Sequence, residues 1–283
     1  MGEKGVSRMT ANAHPPSPGT AIAREWQRYS PTERVGRFAI YLGIVAAIVA
    51  SLRGVEVIPE FLLDSPTQMA DMFQRMWPVD LAFYPKGVHS ALIDSIHIAT
   101  LGTILAVLMA IPVAFLAANN TTPYKALNYF GKFILVASRS VNTLVWALLF
   151  VAIFGPGPLA GMLAIAFHSI GFCGKLLGEA LEEAHRGPIE ALKATGAPWL
   201  TVALKGYWPQ VKPAFWAIVL FRFDINVRES AVLGLVGAGG VGMVLDTAIN
   251  TFQWERVATV LAAIFAVVVV VEVIVTQVRK RII

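Results

Sequence analysis

The chain alternates long apolar runs with short polar breaks, and the runs have the lengths of membrane-spanning helices. A spanning helix needs about 20 mainly apolar residues to cross about 30 Å of hydrocarbon. Phe38–Leu52 is short for this, but Arg37 and Arg53 bracket it and can snorkel to the headgroups. Further spans are predicted at Ala91–Ala118, Phe133–Phe154, Pro158–Leu177 and Val257–Val278. Pro213–Val236 is apolar at both ends but holds Arg222, Asp224, Arg228 and Glu229 in its middle. Taken as the fifth crossing, it makes the expectation an all-α integral membrane protein with about six transmembrane helices.

Composition agrees. Of 283 residues, 56% are hydrophobic and 14% charged, with a mean hydropathy of +0.64. Soluble domains run about 45–50% apolar and about 25% charged. A disordered chain, a basic nucleic-acid-binding protein and an ordinary soluble enzyme are thereby excluded. The single cysteine, Cys173, excludes an internal disulfide framework or a cysteine-built metal site.

The net charge of +5 is distributed by loop. Lys4, Arg8, Arg24, Arg28, Arg34 and Arg37 precede the first span, and Arg279, Lys280 and Arg281 follow the last. The loop after the first span is richer in acid than base, and the next carries Lys125 and Lys132 without acid. The Gly155–Pro158 turn is uncharged, and the stretch from Lys175 to Lys212 holds five basic residues. The alternation predicts that both termini are cytoplasmic. Residues 1–34, with Pro15, Pro16 and Pro18, are expected as a disordered basic cytoplasmic tail, and 35–283 as the transmembrane domain. A signal peptide ending near Ala50 competes with an uncleaved anchor, but the polar region before the apolar run is too long for one. No internal repeat is evident, which disfavours transporters built from repeated halves.

Gly237-Ala238-Gly239-Gly240-Val241-Gly242 fits the dinucleotide pattern G-x-G-x-x-G, with Glu255 near the distance of a ribose contact. A Rossmann site needs strands and crossover helices, and the flanks read as membrane helices instead. Gly237, Gly239 and Gly240 are therefore expected to form a bend at an outer gate, where backbone approaches closely. The chain has no P-loop pattern, so a partner must hydrolyse any ATP that is used.

The loop at 182–212 predicts a short helix opened by Pro188, stopped at Gly196, then a second from Trp199 to Tyr207 ending before Pro209. Such a knob can dock in another protein or rest on the membrane surface. Glu190-Ala191, Gly196 and Pro209 fall on the E-A-A-x-x-x-G-x9-I-x-L-P spacing of bacterial ABC importer permeases, with Leu192, Gly206 and Trp208 departing from it. The stretches Phe221–Arg228 and Val232–Gly242 resemble the phosphonate/phosphite branch of that family.

The resemblance implies a type I ABC importer permease fold and ATPase coupling through Glu190, Ala191, Gly196 and Pro209. It implies a homodimer working with two ATPase subunits that hold ATP and Mg, this chain holding no cofactor and catalysing no covalent step. It further implies an extracytoplasmic phosphonate-type solute-binding protein, a bacterial inner-membrane location, and phosphonate, phosphite or a related phosphorus oxyanion as substrate. An importer for another solute, a channel or secondary transporter running without ATP, and a membrane-bound nucleotide enzyme are the alternatives.

Ionisable groups at membrane depth are costly and face a bundle interior or a cavity. Asp224 and Arg228, four apart, can pair on a helix; Arg222 and Asn226 share another face, which Glu229 helps neutralise. This is expected to be a structural charge cluster at a subunit contact, with a direct substrate site as the alternative. Arg139 has no acid in its own segment, and with Asn142 and Thr143 it is expected to make one polar face. That face serves either a passing anion or an acidic partner such as Asp94 or Glu229. His168 with Ser169, and Asp94 with His97, are smaller polar patches, and Glu272 is expected to snorkel toward the basic tail.

Overall fold

The computed structural model describes residues 30–55, 59–122 and 124–282. The chain divides into two units, Met1–Ser65 and Pro66–Ile283. In the first, α1 (Pro31–Gly54) opens on a capping box: Ser30 Oγ accepts from Glu33 N–H, and the Glu33 carboxylate accepts from Ser30 N–H. The helix thus begins inside the segment expected as tail; residues 1–29 lie outside those described. The apolar window of α1 is long enough to span and is not buried by its own unit. α2 (Pro59–Arg75) crosses the division between the units.

The second unit is a helical bundle. α3 (His89–Ala117) and α6 (Pro158–Glu182) run side by side in the same direction, with Gly102 against Ile165 and Ala110 beside Gly174. Small residues at Ala99, Gly102, Ala106, Ala110 and Ala114 of α3 are buried at helical spacing. In lipid, where tails are as apolar as leucine, such close backbone packing is what holds helices together. α9 (Trp208–Leu233) runs the opposite way, and α11 (Trp254–Ile282) packs against it.

Two predicted spans are bent. Phe133–Phe154 is not one helix but α4 (Lys125–Ser140) and α5 (Thr143–Phe154), set at 88° to each other. Asn142 causes the break: its extended backbone and its side chain, accepting from Leu144 N–H at 2.9 Å, start a new helix. Both halves follow α6, with Ser138 donating to the Phe167 carbonyl and Ala147 and Phe150 packing on Ala160 and Ala164. The second bend, 42°, separates the 199–236 stretch from α10 (Val241–Asn250). Among the described residues four helices can span a membrane alone, or up to six crossings if each bent pair is one.

The unit has two ends of different build. One, the loop end, gathers residues 114–122 and 178–211 around Leu177, Leu181, Ile189, Val202 and Tyr207. The other, the glycine end, gathers the start of α3, the Gly155–Pro158 turn, residues 234–242 and the start of α11. α10 ends with Phe252 at φ +56, a left-handed conformation costing a side-chain-bearing residue about 1–2 kcal/mol.

Candidate functional site

At the loop end, α7 (Arg186–Ala194) starts two residues before Pro188, which sits in its first turn. The helix stops where expected: Gly196 has φ +74, its N–H donates to the Lys193 carbonyl, and Ala197 N–H donates to Leu192. The second predicted helix does not end before Pro209. A single turn, α8 (Trp199–Thr201), passes into a wide turn at Val202–Tyr207 and straight on into α9, where Pro209 takes an early position. The wide turn, whose closing Trp208 N–H donates five residues back to the Ala203 carbonyl, loosens the helix where proline brings no N–H of its own.

Ile189, Val202 and Tyr207 are buried in the bundle, and Tyr207 Oη donates to the Asn120 carbonyl at 3.3 Å. Glu190, Ala191, Gly196 and Pro209 are all exposed. Trp199 and Leu200 are each 60% exposed, and with Leu204 they border an apolar groove of about 750 Å³. The element is anchored on one side and presents apolar surface on the other.

In the middle of the bundle a chain of hydrogen bonds joins four helices. Thr143 Oγ1 (α5) donates to Glu229 Oε2 at 3.0 Å, and Arg222 Nη2 (α9) reaches the same carboxylate at 3.2 Å. Arg222 Nε donates to Ser169 Oγ (α6) at 2.8 Å, and Ser169 Oγ donates to Asn226 Oδ1 at 3.3 Å. Asn226 Nδ2 then donates to Thr103 Oγ1 (α3) at 2.8 Å. Arg222 is 4% exposed, so its charge stands on this satisfaction; a buried unpaired cation would cost several kcal/mol. The expected Arg222–Glu229 and Asp224–Arg228 pairs are both present, and Asp224 Oδ1 is buried without a hydrogen-bond partner among the described residues.

Beside this chain lies a cleft of about 300 Å³ lined by Asn142, Thr143, Leu144, His168, Arg228, Glu229, Val232 and Leu233. Arg228, half-exposed, brings a guanidinium to it. His168 Nδ1 meets the Val141 carbonyl at 3.0 Å, which leaves Nε2 as the ring's uncommitted nitrogen. His168 and Ser169 therefore separate: the first lines the cleft, the second belongs to the buried chain.

Arg139 does not join Asn142 and Thr143 on one polar face. The break at Asn142 turns the helix, and Arg139 lines a different cleft of about 310 Å³ with Lys132, Lys175, Glu179 and Glu182. It is exposed, and it pairs with neither Asp94, itself exposed near the glycine end, nor Glu229, which Arg222 and Thr143 already occupy. Thr103 carries no sequence signal beyond being a hydroxyl in an apolar run. It is nonetheless the α3 anchor of the buried chain.

The glycine motif forms a packed joint. Gly237, Gly239 and Gly240 have φ of +82, +85 and +75. A Cβ on Gly239 would lie 2.7 Å from Pro158 N, and one on Gly240 would strike Ser95 Oγ. Ser95 Oγ accepts from Val241 N–H at 2.8 Å, and Gly157 N–H donates to the Gly237 carbonyl at 2.9 Å. No strand occurs among the described residues, and the motif's backbone approaches protein rather than opening as a phosphate cradle. The dinucleotide reading has no site here.

Comparison with known proteins places this arrangement. Residues 110–283 match the family described as binding-protein-dependent transport system inner membrane component. The chain is 35% identical over 234 residues to the phosphate-import permease protein PhnE of Mycolicibacterium smegmatis, covering 83% of this chain and 44% of that protein. It is 37% identical over 211 residues to the putative phosphite transport system permease protein HtxC of Stutzerimonas stutzeri, covering 72% and 75%. The chain thus spans less than half the length of the mycobacterial relative and about three quarters of the other. In fold it is similar to an inward-facing structure of the MetNI methionine ABC transporter, with a TM-score of 0.60 at 18% identity over 69% of this chain and 96% of that one. The chain belongs to the binding-protein-dependent transport system inner membrane component family.

Proposed function

We propose that this chain is the permease through which an ABC importer moves a small phosphorus oxyanion, phosphite or a phosphonate, into the cytoplasm. The polar cleft beside Arg228 and Glu229 is the observation that carries the substrate reading. A tetrahedral oxyanion offers several acceptors, and Arg228 with the Asn142 amide offers donors. Arg228 is ion-paired with Asp224, which tempers its attraction for an anion and favours a passing contact over a trap. The relatives named for phosphite and phosphate import support the same substrate class.

Two copies of the chain form the pathway. The loop end faces the cytoplasm, as do both termini, and its exposed Glu190–Gly196 and Trp199–Leu204 surfaces seat on two ATPase subunits that hold ATP and Mg. Closure of the ATPases moves the α7 elements together, and the bundle opens at the glycine end to take substrate from a solute-binding protein. Gly237, Gly239 and Gly240 form the joint at that gate, and this chain forms and breaks no covalent bond.

The test is uptake of labelled phosphite and methylphosphonate into vesicles holding the permease with its ATPase, with the binding protein outside. Uptake that needs both ATP and the binding protein, and that excess sulfate does not compete away, is the expected result. Uptake driven without ATP would favour a channel or secondary transporter. A lack of phosphorus oxyanion uptake alongside ATP-driven transport of another solute would overturn the substrate.

A further inference from the structure

The cleft beside Arg228 holds groups that can only donate a hydrogen bond and groups that can only accept one. The Arg228 guanidinium is a donor, and Asn142 has committed its oxygen to Leu144 N–H at 2.9 Å, which leaves the amide NH2 for a ligand. Three other lining groups are acceptors. Glu229 is the carboxylate of the Arg222 pair. Thr143 gives its one hydroxyl proton to Glu229 at 3.0 Å, so its oxygen shows a ligand only lone pairs. His168 Nδ1 lies 3.0 Å from the Val141 carbonyl, which can only accept, so Nδ1 carries the proton and Nε2 of the neutral ring is a lone pair.

This tautomer follows from the bend in the chain. Val141 and Asn142 have extended backbone between α4 and α5, and a carbonyl at a helix end loses its partner along the helix. His168, on α6, supplies an N–H to it. The charges within electrostatic reach of the ring come from α9, where Arg222 pairs with Glu229 and Arg228 with Asp224, so they cancel in pairs. α5 carries no ionisable residue. Arg139 of α4 packs against Gly171 and lines a different cleft, and Asp94 and His97 of α3 are exposed near the glycine end.

A fully deprotonated tetrahedral anion has acceptors alone. It satisfies Arg228 and Asn142 but sets oxygen lone pairs against those of His168 and Thr143. An anion that keeps one hydroxyl has a proton to give. We infer that His168 is the specificity residue of this cleft: the hydroxyl of a singly protonated oxyanion donates to Nε2, and the cleft favours that form over anions without a hydroxyl. The inference rests on the transport reading proposed above and adds which chemical form passes. Phosphorus oxyanions hold such a proton near neutral pH, the second pKa of a phosphate monoester being about 6, whereas sulfate and sulfonates hold none. The Glu229 carboxylate adds to the preference by repelling a second negative charge.

Methanesulfonate is the probe, because it has the tetrahedral shape and single charge of the methylphosphonate monoanion and lacks its hydroxyl. The permease–ATPase complex in nanodiscs, without binding protein, is mixed with methylphosphonate below its second pKa. Broadening of the phosphorus NMR line reads occupancy, and displacement by methanesulfonate is compared with displacement by phosphite. Wild type should need roughly tenfold more methanesulfonate than phosphite. His168→Asn can still donate to Val141 from the place of Nδ1 but has nothing at Nε2, so the ratio should fall to about twofold or less. His168→Gln, which brings an amide oxygen near the place of Nε2, should keep most of the ratio. A His168→Asn permease that melts as a folded protein and keeps the wild-type ratio would overturn the role of His168 and leave the transport reading intact. Should that variant not fold, a wild-type ratio near one would overturn the role by itself. Tighter binding of methanesulfonate than of phosphite would show Nε2 donating and would overturn it too, as would uptake of phosphite without any broadening. ATP-driven uptake that never includes a phosphorus oxyanion would overturn the transport reading and this inference together.

Discussion

The loop end and the glycine end turn on glycines of nearly equal φ, +74 at Gly196 and +82 at Gly237, yet their surroundings are opposite. A Cβ on Gly196 would meet nothing within 4 Å. At the other end, a Cβ on Gly239 would press on the Pro158 backbone, and one on Gly240 on Ser95. The first glycine is needed for its backbone conformation alone; the next turn needs both conformation and the missing side chain. An open turn flanked by exposed Trp199 and Leu200 leaves apolar surface uncovered, whereas the filled one packs the Gly155–Pro158 turn and the start of α3 against the glycine backbone.

The largest effect is expected at the filled turn. Gly239→Val combines backbone strain with a collision that proline backbone cannot relieve, a cost of about 3–5 kcal/mol. Loss of folded permease in detergent, read by size exclusion and thermal melting, checks it. Between the two ends, Glu229→Gln should cost about 3 kcal/mol by leaving Arg222 buried without its anion. Replacing Arg222 and Glu229 together with leucines should cost less than the single change, which a double-mutant cycle would read.

At the open turn the cost falls. Gly196→Ala should destabilise by only about 1 kcal/mol, because the penalty is conformational. A fall of more than a few degrees in melting temperature would contradict the open environment. Arg139→Gln should stay within about 0.5 kcal/mol of wild type, as an exposed cation with no ion-pair partner among the described residues predicts. Rescue of that variant by neutralising Asp94 would instead reveal a pair.

Much of this contrast is legible in the sequence. Gly196 sits where an apolar-faced short helix must stop, and the four-residue spacing of Asp224 and Arg228 foretells their pair. The Arg222–Glu229 contact needs a seven-residue reach along one helix face, which periodicity also supplies. The break in the third span is harder to see, because a strongly apolar run on both sides swamps the one helix-starting residue, Asn142. Joining Arg139 to Thr143 on one face assumed a continuous helix, and the 88° turn removes that premise. Pro209 misleads for a related reason: it reads as a stop, but a wide turn before it lets the chain run on. Phe252 is illegible, since its closure is normally announced by glycine.

The central claim is that the open end is the seat of the ATPase and the filled end the gate. Co-purification of the ATPase subunits with Gly196→Val permease tests it most directly. The account predicts a variant that inserts and folds, melting a few degrees below wild type, but brings down little ATPase, with phosphite uptake lost in proportion. ATPase recovered at wild-type yield, with uptake undiminished, would contradict it.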